Sequence, residues 1–82
     1  MTLTSLSIRL ELIDPRCNHR KFYELRAWQM PPDGGEFFLF RRWGRIGTQG
    51  QTKLESFNSE GALLSTYHSL LNNKSAKGYS EA

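Results

Sequence analysis

The sequence predicts an α+β domain, an antiparallel sheet of about four strands with one helix packed on one face. Three observations carry this. Apolar and polar residues alternate with a period of two along the first half of the chain, Pro and Gly clusters interrupt the alternation, and a single apolar stripe at helical spacing occupies residues 62–71. The 82 residues fit a single domain spanning 1–82, because a chain this short buries only roughly 60% of the surface exposed when unfolded.

In the first strand Leu6, Ile8, Leu10 and Leu12 alternate with Ser5, Ser7, Arg9 and Glu11, giving one buried and one wet face. Asp14-Pro15 ends it, since proline fixes its own φ and restricts the residue before it, and a polar loop follows from Arg16 to Arg20. The second strand runs from about Lys21 to Gln29, with Tyr23, Leu25 and Ala27 on one face and Phe22, Glu24, Arg26 and Trp28 on the other. Pro31-Pro32-Asp33-Gly34-Gly35 reads as the turn into a third strand, Glu36 to Trp43. That strand is apolar on both sides, with Phe38 and Phe40 facing one way and Phe37, Leu39, Arg41 and Trp43 the other.

Gly44, Gly47 and Gly50 shape a short loop into a fourth strand, Gln51 to Phe57. Asn58 or Ser59 then caps a helix whose Ala62, Leu63, Tyr67, Leu70 and Leu71 share one stripe, and Asn72, Asn73 and Lys74 supply a polar stop. The expected core between sheet and helix is Phe38, Phe40, Leu63, Tyr67 and Leu70. Phe22, Trp28, Phe37 and Trp43 are left on the other face, and a wet face with that many rings calls for a partner or a covering segment.

Composition narrows the function. With 38% hydrophobic and 12% aromatic residues the chain is too apolar to be disordered. Its longest apolar run, Phe37 to Phe40, falls far short of the roughly 20 residues that span a bilayer, so no membrane association is expected. Met1 to Ser7 lacks the basic start and apolar block of a secretory signal. Cys17 has no partner for an internal disulfide, and one Cys with two His makes no zinc spacing. The expectation is a cytoplasmic protein with no metal and no cofactor.

The net charge is +3, and its placement is informative. Residues 1–45 hold eight bases, seven of them Arg, against five acids, whereas from Ile46 onward Lys53, Lys74 and Lys77 balance Glu55, Glu60 and Glu81. Arginine's planar fork suits phosphate and stacks on flat groups, so the bias favours an anionic partner such as a nucleic acid.

Catalysis finds no support. Cys17 and His19 lie two apart and His68 falls on the helix, but no orienting group or oxyanion loop accompanies them. Glu24, Glu55 and Glu60 read as solvated charges. Gly44 to Gly50 leads into a strand and lacks the Gly-Lys-Ser/Thr ending of a phosphate loop. What remains is Arg41-Arg42-Trp43-Gly44-Arg45, an indole set between guanidinium groups at the mouth of a glycine loop. An exposed Trp there stacks on a base or sugar, worth roughly 1 to 3 kcal/mol, while Arg holds phosphate. On these residues alone the alternative, a core Trp43 flanked by strand arginines, stands equally.

Trp43-Gly44-Arg45, continuing through Ile46-Gly47-Thr48-Gln49-Gly50-Gln51, resembles the signature of the WGR domain family of DNA-break-activated poly(ADP-ribose) polymerases and short bacterial proteins. Asn18 with Lys21-Phe22-Tyr23, then Phe57, Ser59 and Ala62, then Lys74 to Tyr79, are similar to further elements of that family, so the likeness spans about residues 6 to 79. The resemblance implies a sheet crossed by one helix and a module that binds DNA near a break. It assigns stacking on a terminal sugar to Trp43 and a phosphate or bridging role to Arg45. It places Asn18, Lys21 and Tyr79 near the terminal phosphate, Lys77 beside them and Gln51 in the supporting loop. Arg20 stands where many members carry Asn, which keeps charge attraction but not an amide contact, and Arg42 adds to the basic cluster.

No catalytic domain accompanies these residues, so the expectation is a non-enzymatic, bacterial-type DNA-binding module in DNA repair, nucleoid-associated when bound. It would recognise ends or nicks with little sequence preference. The alternative is a protein-interaction module that docks in trans on a separately encoded nucleic-acid-processing enzyme through its aromatic sheet face. RNA is a third ligand class, since stacking plus Arg does not by itself tell ribose from deoxyribose.

Overall fold

Alternate residues of a strand point to opposite faces, so the register between strands fixes which side chains a covering helix can reach. The computed structural model describes residues 5–29 and 36–82; residues 1–4 and the expected turn at Pro31 to Gly35 lie outside them. The elements are β1 (Leu6–Asp14), β2 (His19–Gln29), β3 (Phe37–Arg45), β4 (Gln51–Phe57), α1 (Glu60–Ala76) and β5 (Ser80–Glu81). All strand pairings are antiparallel, in the order β4-β3-β2-β1-β5.

The α+β class with one helix therefore holds, with five strands rather than about four. The fifth, two residues pairing Leu10 with Glu81 and Glu11 with Ser80, is too short to show any periodicity in the sequence. The loop expected from Arg16 to Arg20 is shorter too. Pro15–Cys17 form a 3-10 turn, the Asp14 carboxylate accepts from the Arg16 N–H at 3.2 Å, and Asn18 takes φ 56°, which lets β2 start at His19.

Ser59 caps α1, its Oγ accepting from the Ala62 N–H at 3.1 Å. The helix does not stop at Asn72, Asn73 and Lys74 but continues to Ala76. Polar residues end a helix only by failing to continue it, whereas Gly78 at φ +103° forces the turn that sends Tyr79 back toward β1.

The third strand departs from its expected facing. Tyr23 pairs with Trp43, Leu25 with Arg41, Ala27 with Leu39 and Gln29 with Phe37, so Phe37, Leu39, Arg41 and Trp43 share the face of Tyr23, Leu25 and Ala27. The core beneath α1 is accordingly Leu10, Tyr23, Leu25, Ala27, Phe37, Leu39, Leu63 and Tyr67, with Leu70 packed against it. Phe38 and Phe40, expected in that core, lie half-buried on the opposite face, and Phe37 and Trp43, expected on the wet face, lie under the helix. Both faces of this strand are apolar, so only its register with β2 decides between them.

The helix-free face divides into two zones. At one end Phe22, 1% exposed, is sealed by the guanidinium groups of Arg9 and Arg42, 4.7 and 4.8 Å from its ring centre. Glu24 joins these arginines, accepting from Arg9 at 2.6 Å and from Arg42 at 3.0 Å. At the other end Trp28 stacks on Phe38 with ring centres 5.7 Å apart, next to Phe40 and the exposed Leu54.

Candidate functional site

Beyond the core, Arg41 and then Trp43 follow Leu39 on the helix-side face of β3, and the Trp43 ring packs against the buried Tyr23 ring at 6.3 Å. The other side of the indole looks into a recess of about 280 Å³ lined by Tyr23, Arg41, Trp43, Leu70, Asn73, Lys74 and Lys77. α1 supplies Leu70, Asn73 and Lys74, and its C-cap supplies Lys77, because the helix runs past Leu70: Leu63, Tyr67, Leu70 and Lys74 follow at intervals of four, three and four residues, so all lie on its inward stripe.

The loop after Trp43 is held tightly. A Cβ on Gly50, at φ +71°, would lie 2.2 Å from the Trp43 carbonyl oxygen and 3.1 Å from the Phe22 ring, so only glycine fits. From beneath, Arg42 donates to the Gln49 carbonyl at 3.0 Å, and across the turn the Thr48 hydroxyl donates to the Arg45 carbonyl at 2.7 Å. These contacts fix the backbone that carries the indole.

The recess is basic and lacks a carboxylate among its lining residues. The Lys74 ammonium sits 4.5 Å from the Tyr23 ring centre and 5.3 Å from that of Tyr79. Burial pushes its pKa below the ordinary lysine value, and the charges of Lys77, Lys21 and Arg41 push it the same way. Among the described residues no carboxylate lies within ion-pair distance of Lys21, Lys74 or Lys77. Arg41 pairs with Glu55 at 2.6 Å, while its buried Nε finds no partner among the described residues. Burial also raises the Tyr79 pKa, with the Tyr23 hydroxyl adding to it, so the phenol beside Lys74 stays neutral. Fixed positive charge beside an aromatic ring suits an anion carried on a group that packs against that ring.

A sequence profile of the WGR domain matches residues 6–82. The chain belongs to the WGR domain family. It is 35% identical over 71 residues, 85% of its length, to the uncharacterized protein y4dW of Sinorhizobium fredii. It is 46% identical over 37 residues, 45% of its length, to poly(ADP-ribose) polymerase 2-A of Oryza sativa subsp. japonica. To the protein mono-ADP-ribosyltransferase PARP3 of Mus musculus it is 42% identical over 40 residues, 49% of its length. The matched stretch covers 33% of the bacterial relative, 6% of the rice polymerase and 7% of the mouse transferase. No solved structure matches the chain significantly.

In this WGR domain the expected site residues separate. Lys21, Trp43, Arg45 and Gln51 share the helix-side face, with Lys21 opposite Arg45 and Trp43 opposite Gln51. Lys77 lines the recess and Tyr79 flanks Lys74. Asn18 joins this end through its carbonyl, which accepts from Arg45 Nη1 at 3.4 Å. Arg20 and Arg42 fall elsewhere: Arg20 pairs with Ile13, exposed on the helix-free face, and Arg42 is engaged there by Glu24 and the Gln49 carbonyl.

Five residues of the recess, Tyr23, Arg41, Leu70, Asn73 and Lys74, are not among those the resemblance assigns to the site, although Arg41 belongs to the basic cluster around Trp43. Lys74 was readable, because extending the stripe Leu63, Tyr67, Leu70 by one turn lands on it. Arg41 was readable as well, because strand alternation puts it on the same face as Trp43.

Proposed function

We propose that this WGR domain binds DNA at strand ends or nicks through phosphate and sugar contacts, with no catalysis of its own. The single observation that carries this is the recess between Trp43 and α1, where an indole meets Arg41, Lys74 and Lys77 with no acidic residue in the lining. Trp43 supplies the stacking surface, and Lys21, Arg45, Lys74 and Lys77 supply charge for phosphate. Burial first, and then the charges of Lys77, Lys21 and Arg41, lower the Lys74 pKa, and an anion entering the recess offsets both. The WGR resemblance supports the same ligand and adds the preference for a break.

Such contacts position a duplex without reading bases, so sequence preference is weak. With about four phosphates neutralised, the logarithm of the binding constant falls with that of salt concentration with a slope near −3.6. The test is a fluorescence titration of 5′-phosphorylated linear duplex against closed circular DNA of the same sequence. Preferential binding of the linear duplex, lost in Trp43→Ala, is expected. Negligible binding to both sinks the reading.

A further inference from the structure

We propose that β4 pairs with β4 of a second copy of this chain, antiparallel and centred on Leu54. The inference is independent of the DNA reading, since it rests on the edge of the sheet away from the recess. β5 covers part of the β1 edge, whereas β4 forms the opposite edge with seven residues that include neither Pro nor Gly. An open edge of that length is a template for another strand unless its side chains oppose it.

The side chains here select one register. Around Leu54 the sequence reads Thr52, Lys53, Leu54, Glu55, Ser56. In an antiparallel pair centred on Leu54, each Lys53 lies opposite Glu55 of the other copy, and each Thr52 opposite Ser56. Sliding the centre by one residue puts Lys53 against Lys53 or Glu55 against Glu55, which like-charge repulsion disfavours. Within one copy Lys53 lies directly opposite Arg41, also a cation, while Glu55 serves Arg41 at 2.6 Å. Among the described residues Lys53 has no carboxylate partner, and the second copy brings one to it.

The apolar side agrees. Leu54 is 58% exposed on the helix-free face and lies opposite Phe40. A two-fold axis through Leu54 perpendicular to the sheet brings the two leucines together and joins the two patches of Phe40, Phe38 and Trp28. The helices do not collide. α1 packs on β2, β3 and β4, hence over β3, and three strand spacings between the two β3 strands put the helix axes about 14 Å apart, beyond the 8–10 Å of packed helices. Both Trp43 recesses then open on the same side of a ten-stranded sheet.

Sedimentation equilibrium of the 82-residue chain tests the pairing. The wild-type chain is expected to dimerise. Lys53→Glu sets glutamates opposite each other across both copies and should weaken association about tenfold or more. It should not unfold the monomer, because the new carboxylate faces Arg41, and circular dichroism checks this. Mixing Lys53→Glu chains with Glu55→Lys chains restores opposite charges at both pairs, so the mixture should associate where Lys53→Glu alone does not. Because Glu55→Lys also removes the partner of Arg41, a second probe is Leu54→Cys in a Cys17→Ser background. It should cross-link on oxidation faster than Ser56→Cys in that background. A wild-type chain monomeric at every concentration, unchanged association of Lys53→Glu, or equal cross-linking of the two cysteine variants overturns the proposal.

Discussion

Arg42 and Trp43 are consecutive residues that project from opposite faces of β3, one tied to Glu24 and the Gln49 carbonyl, the other lining the basic recess. The arginine before the Trp-Gly-Arg signature therefore supports the loop from below, and the tryptophan lines the recess above, where the proposed function puts the DNA. The two variants should separate accordingly. Trp43→Ala is expected to lower DNA affinity by about 1 to 3 kcal/mol while the domain stays folded. Arg42→Ala is expected to cost about 1 to 2 kcal/mol of stability, since it strips charge-assisted bonds from Glu24 and the loop. Urea denaturation alongside DNA titration of both chains checks this, and equal stability losses would contradict the division of roles.

Lys74 should oppose stability while serving binding. Its pKa is lowered by burial and by neighbouring cations, so the folded state disfavours the charged form relative to the unfolded chain. Below the lowered folded value both states hold the proton and the penalty is fully present. As pH rises through the lowered folded value the native state releases its proton first, and stability gains until the unfolded lysine follows. Lys74→Met, which keeps the apolar stem, is expected to melt higher than wild type at pH 8 and to bind DNA more weakly. The melting difference should narrow toward the lysine range. A variant that melts lower at pH 8 shows instead that the ammonium's contacts with Tyr23 and Tyr79 outweigh desolvation.

Glu24 carries the opposite pH dependence. Its hydrogen bond from Arg42 lowers its pKa most, desolvation works against that, and Arg9 adds to the lowering. A depressed carboxylate stabilises the fold above its unfolded pKa, and that stability is lost as pH falls through the folded value. Glu24→Gln should therefore cost about 1 to 2 kcal/mol at pH 7, with the difference closing as the solution is acidified below the ordinary carboxylate range. Chemical denaturation of the pair at neutral and acidic pH measures it, and a pH-independent difference would mean that Glu24 acts by packing alone.

Much of this arrangement was legible in the residues. The alternation from Leu6 to Leu12 and from Tyr23 to Ala27 has a clear polar side, so those facings follow from sequence. The stretch Phe37-Phe38-Leu39-Phe40 offers apolar groups to both sides, and its facing comes only from the pairing of Ala27 with Leu39. Arg41 was legible beside Trp43, since alternation puts the two on one face whichever way that face points. Lys74 was hidden: a polar cluster looks like a helix end, yet in the absence of Pro or Gly the helix runs on and carries the lysine inward. Arg42 shows the converse, since adjacency in a motif implied one site where strand alternation makes two faces.

The facing of β3 is itself open to a direct measurement. Leu39 is fully buried between sheet and helix, whereas its neighbour Phe40 lies half-buried on the face without the helix. Truncating Leu39 to Ala leaves a cavity against Leu63, Tyr67 and their neighbours, none of which can close it without moving α1, so the expected cost is about 2 to 5 kcal/mol. Phe40→Ala removes a larger side chain, but water already reaches that surface and no enclosed void results, so the expected cost is about 1 kcal/mol or less. Burial, not side-chain size, is what orders the two. The opposite ranking in urea denaturation would place Phe38 and Phe40 under the helix, and would move Trp43 and Arg41 out of the recess with them.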